Sequence, residues 1–264
     1  MTRFLSLFAS VVIASVALAD EPPDRRLQAA IADEARPADE RARDQYRNPY
    51  ETLRFFGIAP DQTVVELFPG NGWYSAILVP YLEDDGNFVA AHFNLEREPL
   101  PAFYERVYHG YRQRFPEAHV VPFDPPAKAP LGAPGSADLV LTFRNIHSWL
   151  RDGILDDVFA AAFEVLRPGG VFGVVGHRLP EDREQDPSAA TGYVKESVVI
   201  EVAETAGFRL AERSEINANP NDTADHPEGV WTLPPMLRVP EGEDPEKYKA
   251  IGESDRFTLK FVKP

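Results

Sequence analysis

The chain has 264 residues, a formal net charge of −15 and no cysteine. Its length allows one substantial α/β domain or two small ones. The acidic excess argues against a nucleic-acid substrate and against electrostatic docking to anionic lipid, because both partners need a basic surface.

Residues 1–19 have the pattern of a secretory signal peptide. Arg3 gives a basic start, an apolar run covers 4–18, and Ala17-Leu18-Ala19 is a small-residue cleavage signature. The run is too short for a good membrane span. We therefore predict a periplasmic or secreted protein, cleaved after Ala19 and without stable membrane insertion after cleavage. An uncleaved N-terminal anchor is the alternative.

Residues 20–60 are predicted to form an N-terminal helical extension. Pro37 ends a first helical pattern, and Asn48-Pro49 predicts a later helix that Asn48 caps and Gly57 ends. The predicted helices cover 24–35, 38–46 and 49–56.

Three arginines, Arg41, Arg43 and Arg47, are spaced two and four residues apart in this extension. This spacing is typical of a solvated helix face. The alternative is that Arg43 or Arg47 lines the mouth of a pocket.

From residue 61 onwards, apolar strand patterns alternate with helical ones. This alternation predicts an α/β domain over 61–264 with a mainly parallel sheet. The last two strands lack a strong crossover helix and are expected to pair antiparallel. Strands are predicted at 63–68, 87–93, 119–123, 138–143, 171–177, 208–216 and 256–262, and helices at 73–82, 101–115, 154–166 and 195–206.

The segment 217–254 is rich in proline, asparagine and acidic residues. Irregular segments of this length are usually functional or disordered. Because Trp231 is unlike a residue of a polar linker, we interpret the segment as a lid-like insertion. A merely decorative insertion is the alternative.

A glycine turn follows the first predicted strand. Glycine lets the backbone approach a ligand closely, and the N–H groups at a helix start face that ligand. Gly70 and Gly72 fit a dinucleotide fingerprint, with Ser75 where its third glycine would stand. Glu66 instead matches the acid of E/D-x-G-x-G-x-G, with Phe68 replacing the first glycine. An ordinary strand–helix turn remains the third alternative.

Over nearly all of 45–264, the chain resembles class I S-adenosylmethionine-dependent methyltransferases, whose first motif is E/D-x-G-x-G-x-G. The turn at 166–170, Leu-Arg-Pro-Gly-Gly before the fifth strand, is shared with that superfamily. The resemblance implies a seven-stranded Rossmann-like methyltransferase sheet with helices on both faces and a C-terminal antiparallel strand pair. The segments 44–49, 66–74, 143–149 and 215–220 further resemble a group of exported bacterial predicted methyltransferases.

The resemblance also implies S-adenosylmethionine as the cofactor. The glycine turn would hold its methionyl part and Glu66 its ammonium group, whereas His92 stands where an acid normally binds the ribose. Asp124 matches an acid that contacts adenine. The implied cofactor residues are Glu66, Phe68, Pro69, Gly70, Asn71, Gly72, Trp73, His92 and Asp124.

Candidate catalytic residues follow the fourth and fifth strands. The carboxyl ends of parallel strands face the crevice of an open α/β sheet, so Arg144, Asn145, His147 and His177 are expected there. We predict that His147 and His177 face one pocket and that either serves as a general base, since imidazole titrates near neutral pH. A single histidine at such a place is more often structural, and it is the pair at adjacent strand ends that favours function.

No metal is predicted. Magnesium-dependent O-methyltransferases place an acid where the fourth strand ends, but this chain has Phe143-Arg144-Asn145 there. Two imidazoles alone are too few ligands for a metal site.

The favoured hypothesis is methyl transfer from S-adenosylmethionine to an unidentified small molecule. The alternative is a non-catalytic protein that keeps the methyltransferase fold and binds another small ligand. A nicotinamide-dependent oxidoreductase is disfavoured by Glu66 and Ser75.

Overall fold

The computed structural model describes residues 24–127 and 130–264, so the predicted signal peptide lies outside the described residues. Its strands are β1 Thr63–Leu67, β2 Asn87–Phe93, β3 His119–Phe123, β4 Ala137–Phe143, β5 Leu166–His177, β6 Arg209–Ser214 and β7 Arg256–Val262. Its helices are α1 Arg25–Ala32, α2 Ala38–Arg41, α3 Asp44–Arg47, α4 Pro49–Phe56, α5 Ser75–Leu82, α6 Ala102–Arg114, α7 Ile146–Arg151, α8 Leu155–Val165, α9 Glu196–Thr205 and α10 Pro245–Ile251.

The strands form one sheet of seven in the order β3-β2-β1-β4-β5-β7-β6. Strands β1 to β5 are parallel, and β7 lies antiparallel between β5 and β6. The predicted C-terminal antiparallel pair is therefore confirmed. The strand order reverses between β1 and β4, which is where open α/β sheets bind ligands.

Helices cover both faces of the sheet, as the sequence predicted. Successive side chains of a strand point to opposite faces, and β1 shows this alternation. Val65 and Leu67 pack in a core with α8 and α9, whereas Val64 packs in a second core with α1, α4 and α5. Within residues 24–127 and 130–264, no helix is long and apolar enough to cross a membrane.

The N-terminal extension differs from its prediction in two places. The helix expected over 38–46 is split into α2 and α3, because tertiary ion pairs hold Asp44 to Arg36 and Arg43 to Glu253. Asn48 does not cap α4 with its side chain. It adopts a left-handed conformation, and its Nδ2 donates to the Ile216 carbonyl oxygen.

The segment 217–254 is more regular than predicted. It contains a 3₁₀ turn at Gly229–Thr232 and the helix α10. The Asp244 side chain accepts a hydrogen bond from Glu246 N, and Pro245 occupies the first helical position. Asp244-Pro245 is thus a helix-start signal that the sequence analysis missed.

We expect Gly176→Ala to destabilise the sheet. A Cβ at Gly176 would lie 2.3 Å from Cζ of the buried Phe257 ring. Overpacking of this kind costs about 1–3 kcal/mol, measurable by urea denaturation. Gly110→Ala is the control, because a Cβ on this exposed residue of α6 meets nothing within 4 Å. Equal losses of stability in both variants would contradict the packing described here.

Candidate functional site

A cavity of about 660 Å³ lies at the carboxyl ends of the parallel strands. Small-molecule sites typically enclose about 300–1,000 Å³. Its walls come from the ends of β1 to β5, the start of β7, α2, α3, α6 and the segment 217–254. Trp231, Pro234 and Met236 bring that last segment over the cavity. This position suits the predicted lid, and its movement stays a prediction.

The glycine turn after β1 forms one wall of the cavity through Pro69, Gly70 and Asn71. Gly70 has a φ of 60°, and a Cβ built on it meets nothing within 4 Å. The backbone at Gly70 is therefore open to the cavity. Gly72 does not line the cavity. A glycine is required there for packing, since a Cβ built on Gly72 would lie 2.3 Å from the Phe115 ring.

Phe68 replaces the first glycine of the motif and adopts the conformation that favours glycine. Its φ is 45°, which costs a non-glycine residue roughly 1–2 kcal/mol. Its ring centroid lies 5.2 Å from that of Phe93, 5.6 Å from that of Phe123 and 5.7 Å from that of Trp149. These four aromatic residues all line the cavity, and we call them the aromatic wall.

Glu66 lies behind the turn. It is 2% exposed and does not line the cavity. The Ser75 hydroxyl donates to Glu66 Oε2 at 2.6 Å and accepts from Tyr111 Oη at 3.2 Å. Burial raises the pKa of Glu66 to about 7. The expected contact of Glu66 with a cofactor ammonium is therefore corrected: Glu66 joins the turn to α5 and α6.

His92 is also placed differently from its prediction. It is fully buried, its Nε2 lies 3.1 Å from the Gly70 carbonyl oxygen, and its Nδ1 accepts from Phe93 N at 2.8 Å. Burial lowers its pKa to about 4, so the ring is neutral at neutral pH and Nε2–H donates to Gly70. With both nitrogens engaged, no ring atom is left for a ribose hydroxyl, and the predicted ribose contact is wrong.

Asn94 reaches the cavity near the same strand end and was missed from the sequence. It is the first polar residue after β2, which is the signal that could have identified it. Asp124, the predicted adenine contact, also lines the cavity, and its Oδ1 accepts from Arg97 Nη1 at 3.1 Å. Because Arg97 is half exposed, this ion pair contributes little stability.

Asn145 joins the two strands at which the sheet order reverses. Its Nδ2 donates to the carbonyl oxygens of Leu67 at 3.0 Å and Phe68 at 3.3 Å. Arg144 has a φ of 65°, and its backbone N donates to the Val175 carbonyl oxygen at 2.7 Å. Both predicted residues line the cavity. Asn145 uses its amide nitrogen to hold the turn, so it is a positioning residue.

His147 and His177 lie side by side in the cavity, with ring centroids 5.5 Å apart. Their predicted common pocket is confirmed. Burial lowers the pKa of His147 to about 4, and burial and the neighbouring His147 lower that of His177 well below its usual value. His177 Nδ1 lies 2.5 Å from Ser254 Oγ. Both rings are therefore neutral at neutral pH, contrary to the expected titration there, and their catalytic role stays a prediction.

Arginines also line the cavity. Arg43 and Arg47 both line it, in agreement with the alternative that Arg43 or Arg47 lines the mouth of a pocket. Arg144 and Arg256 line it as well. Trp73 packs against one of them, with the Arg47 guanidinium 4.5 Å from its ring centroid. The predicted residue Trp73 is thus a lining residue that supports Arg47.

No protein-family model matches the chain, and no curated protein sequence matches it. Solved structures do match. A SAM-dependent methyltransferase from Aquifex aeolicus is 13% identical, with a TM-score of 0.53 over 92% of this chain and 100% of that one. Geranyl diphosphate C-methyltransferase from Streptomyces coelicolor A3(2) is 12% identical, with a TM-score of 0.54 over 92% and 89%.

The [4+2]-cyclase SpnF is similar at the same level, with 14% identity and a TM-score of 0.50 over 88% of this chain and 86% of that one. At such low identity these likenesses establish the fold, which is the Rossmann-like methyltransferase fold predicted from the sequence. The fold alone does not identify the reaction, which depends on the residues of the site.

We expect Glu66→Gln to change how stability depends on pH. The folded pKa of Glu66, about 7, lies above its ordinary value of 4.5, so its contribution to stability is full below pH 4.5 and is lost as pH rises through 7. Glutamine does not titrate. The free energy of unfolding of the variant relative to wild type should therefore rise by up to roughly 3 kcal/mol between these limits. A pH-independent difference in urea denaturation would refute the raised pKa.

Proposed function

We propose that this protein transfers a methyl group from S-adenosylmethionine to a small molecule. The observation that carries the proposal is the open backbone at Gly70, which lies in the cavity wall at the reversal of strand order. Nothing in the structure fills the space that a Cβ there would occupy. Close approach of backbone to ligand is the reason that cofactor turns use glycine.

Several cavity residues suit this cofactor. The backbone of Pro69, Gly70 and Asn71 would hold its methionyl part, and Asn94 has an amide that can hydrogen-bond a ribose hydroxyl. The rings of Phe93 and Phe123 provide apolar surface for a base. When bound, S-adenosylmethionine supplies a methyl group already activated by its sulfonium.

The remaining tasks belong to this chain's own residues. The cavity walls orient the acceptor, and a well-oriented reactant pair gains much of its rate from position alone. Trp231, whose ring centroid is 5.8 Å from that of His147, helps to exclude water. Neutral His147 or His177 would accept a proton from a hydroxyl or amine acceptor where one must be removed.

A second candidate is a protein that binds another small ligand without catalysis. The Phe68 ring favours it, because this ring stands where the motif has a glycine and narrows the cavity beside the turn. The structural neighbour SpnF is titled a [4+2]-cyclase, which is an activity other than methyl transfer.

Export remains part of the proposal. The pattern of residues 1–19 supports a periplasmic or secreted location after cleavage at Ala19, in keeping with the resemblance to an exported group. A small-molecule acceptor suits the enclosed cavity, and the net charge of −15 disfavours a nucleic-acid acceptor.

Gly70→Asn should abolish binding of S-adenosylhomocysteine in isothermal titration calorimetry. Asparagine tolerates positive φ, so the turn is retained while the side chain fills the space beside it. Gly242→Asn is the matched control, because Gly242 has a φ of 90°, an equally open Cβ position and no place in the cavity wall.

Wild type and Gly242→Asn should bind with a Kd below about 1 mM. Absence of binding by the folded wild type would reject methyl transfer and leave the second candidate. Equal binding by Gly70→Asn would show that the cofactor site lies elsewhere.

A further inference from the structure

Three guanidinium groups contact one buried carboxylate, that of Glu253, next to the cavity. Arg43 Nε donates to Glu253 Oε1 at 2.6 Å, Arg47 Nε lies 3.4 Å from Oε2, and Arg256 Nη2 also donates to Oε2. The Arg144 guanidinium makes no hydrogen bond to another described residue, but its charge acts on Glu253. We call Arg43, Arg47, Arg144 and Arg256 the arginine cluster.

Several donors of the arginine cluster are buried without a partner. Arg47 and Arg256 are 3% and 2% exposed. Nη2 of Arg43, Nη2 of Arg47 and Nε of Arg256 have no hydrogen-bond acceptor. Buried charges normally have partners that satisfy their donors. All four residues line the cavity, so an anion bound there would lie against the arginine cluster.

Three carboxylates of the same region pair with arginines outside the cluster. Asp44 is paired with Arg36, Glu40 with Arg114, and Asp124 with Arg97. Within residues 24–127 and 130–264, Glu253 is the one carboxylate in an ion pair with the cluster. The charge of these five residues is therefore three positive units when all are ionised.

The pKa shifts of these residues agree with the excess of positive charge. Burial, and then the charge of Arg144, lowers the pKa of Arg47 well below its usual value. Burial, and then the charge of Arg256, lowers that of Arg144 to about 10. Burial alone would raise the pKa of Glu253, but the surrounding arginines outweigh it and hold this pKa far below its usual range. An added anion would relieve this mutual repulsion.

We propose that the arginine cluster binds the oxyanion of the methyl acceptor, a carboxylate or a phosphate group. Guanidinium forks match the planar or tetrahedral oxygens of both groups. Arg144 follows β4 and Arg256 begins β7, on the same side of the reversal as His177 at the end of β5, whereas Arg43 and Arg47 come from the N-terminal extension. Identification of the anion as acceptor rests on the proposed function, whereas the anion site itself does not.

The cofactor's own carboxylate is insufficient to balance the cluster. S-adenosylmethionine carries one carboxylate, one ammonium and one sulfonium, so its net charge at neutral pH is positive. Its binding would add to the local positive charge rather than remove it. The positive charge of the cluster therefore stays available to a second anion when the cofactor is bound.

The test is calorimetric titration of the purified full chain with inorganic phosphate and, separately, with acetate, in a low-salt buffer free of other oxyanions. Arg144→Asn removes one guanidinium and keeps a residue that tolerates a φ of 65°. Arg167→Asn is the matched control, since Arg167 is half exposed and paired with Asp138 outside the cavity. Arg43→Gln replaces Arg144→Asn if circular dichroism shows that the latter does not fold.

We expect at least one anion to bind with a Kd below about 10 mM, and the tighter of the two identifies phosphate or carboxylate. Affinity should fall roughly tenfold in Arg144→Asn, the loss of one charged hydrogen bond, and stay unchanged in Arg167→Asn. Binding should persist when S-adenosylhomocysteine saturates the protein.

Three results would overturn the anion site for the acceptor. These are no binding of either anion, equal affinity in Arg144→Asn and Arg167→Asn, and loss of binding when S-adenosylhomocysteine is present, since the last would assign the cluster to the cofactor carboxylate. Anion binding by a protein that does not bind S-adenosylhomocysteine would reject methyl transfer but support the anion site.

Discussion

The site depends on how the turn after β1 is held from both neighbouring strands. On the β2 side, Phe68 N donates to the Ala91 carbonyl oxygen and His92 binds the Gly70 carbonyl oxygen. On the β4 side, Asn145 binds the carbonyl oxygens of Leu67 and Phe68. Buried backbone groups need such partners. Because the turn's own carbonyls are satisfied behind the cavity, its open face at Gly70 remains available to a ligand.

Part of the lining of the cavity follows from the strand order. Phe68 follows β1, and Phe93 and Phe123 end β2 and β3, which lie on one side of the reversal. Arginines follow β4 and begin β7, which lie on the other side. One surface therefore suits a flat apolar group, and the other suits an anion. His147 and His177 lie on the cationic side, close to where an acceptor would be held.

Strands could be predicted well from the sequence because apolar runs bounded by turns are local signals. The bounds of β2, β3 and β7 agree with the predicted 87–93, 119–123 and 256–262. Contacts between distant residues could not be predicted. Glu253 lies 206 positions from Arg47, and no local pattern connects them.

The roles of buried polar residues were also beyond a sequence pattern. Glu66 and His92 occupy positions that a motif assigns to ligand contacts, yet both are enclosed behind the turn. Solvent exposure depends on the packing of α5 and α6, which bring Ser75 and Tyr111 against Glu66. In the same way, the positive φ of Phe68 could not be predicted from the residue type, because a positive φ is usually indicated by a glycine.

A crystal structure of the protein grown with S-adenosylhomocysteine tests the central claim most directly. We predict density for the ligand against the backbone of Pro69, Gly70 and Asn71, with the arginine cluster free for a second molecule. An unoccupied turn, with the Phe68 ring filling the space beside Gly70, would contradict an adenosyl site in this cavity.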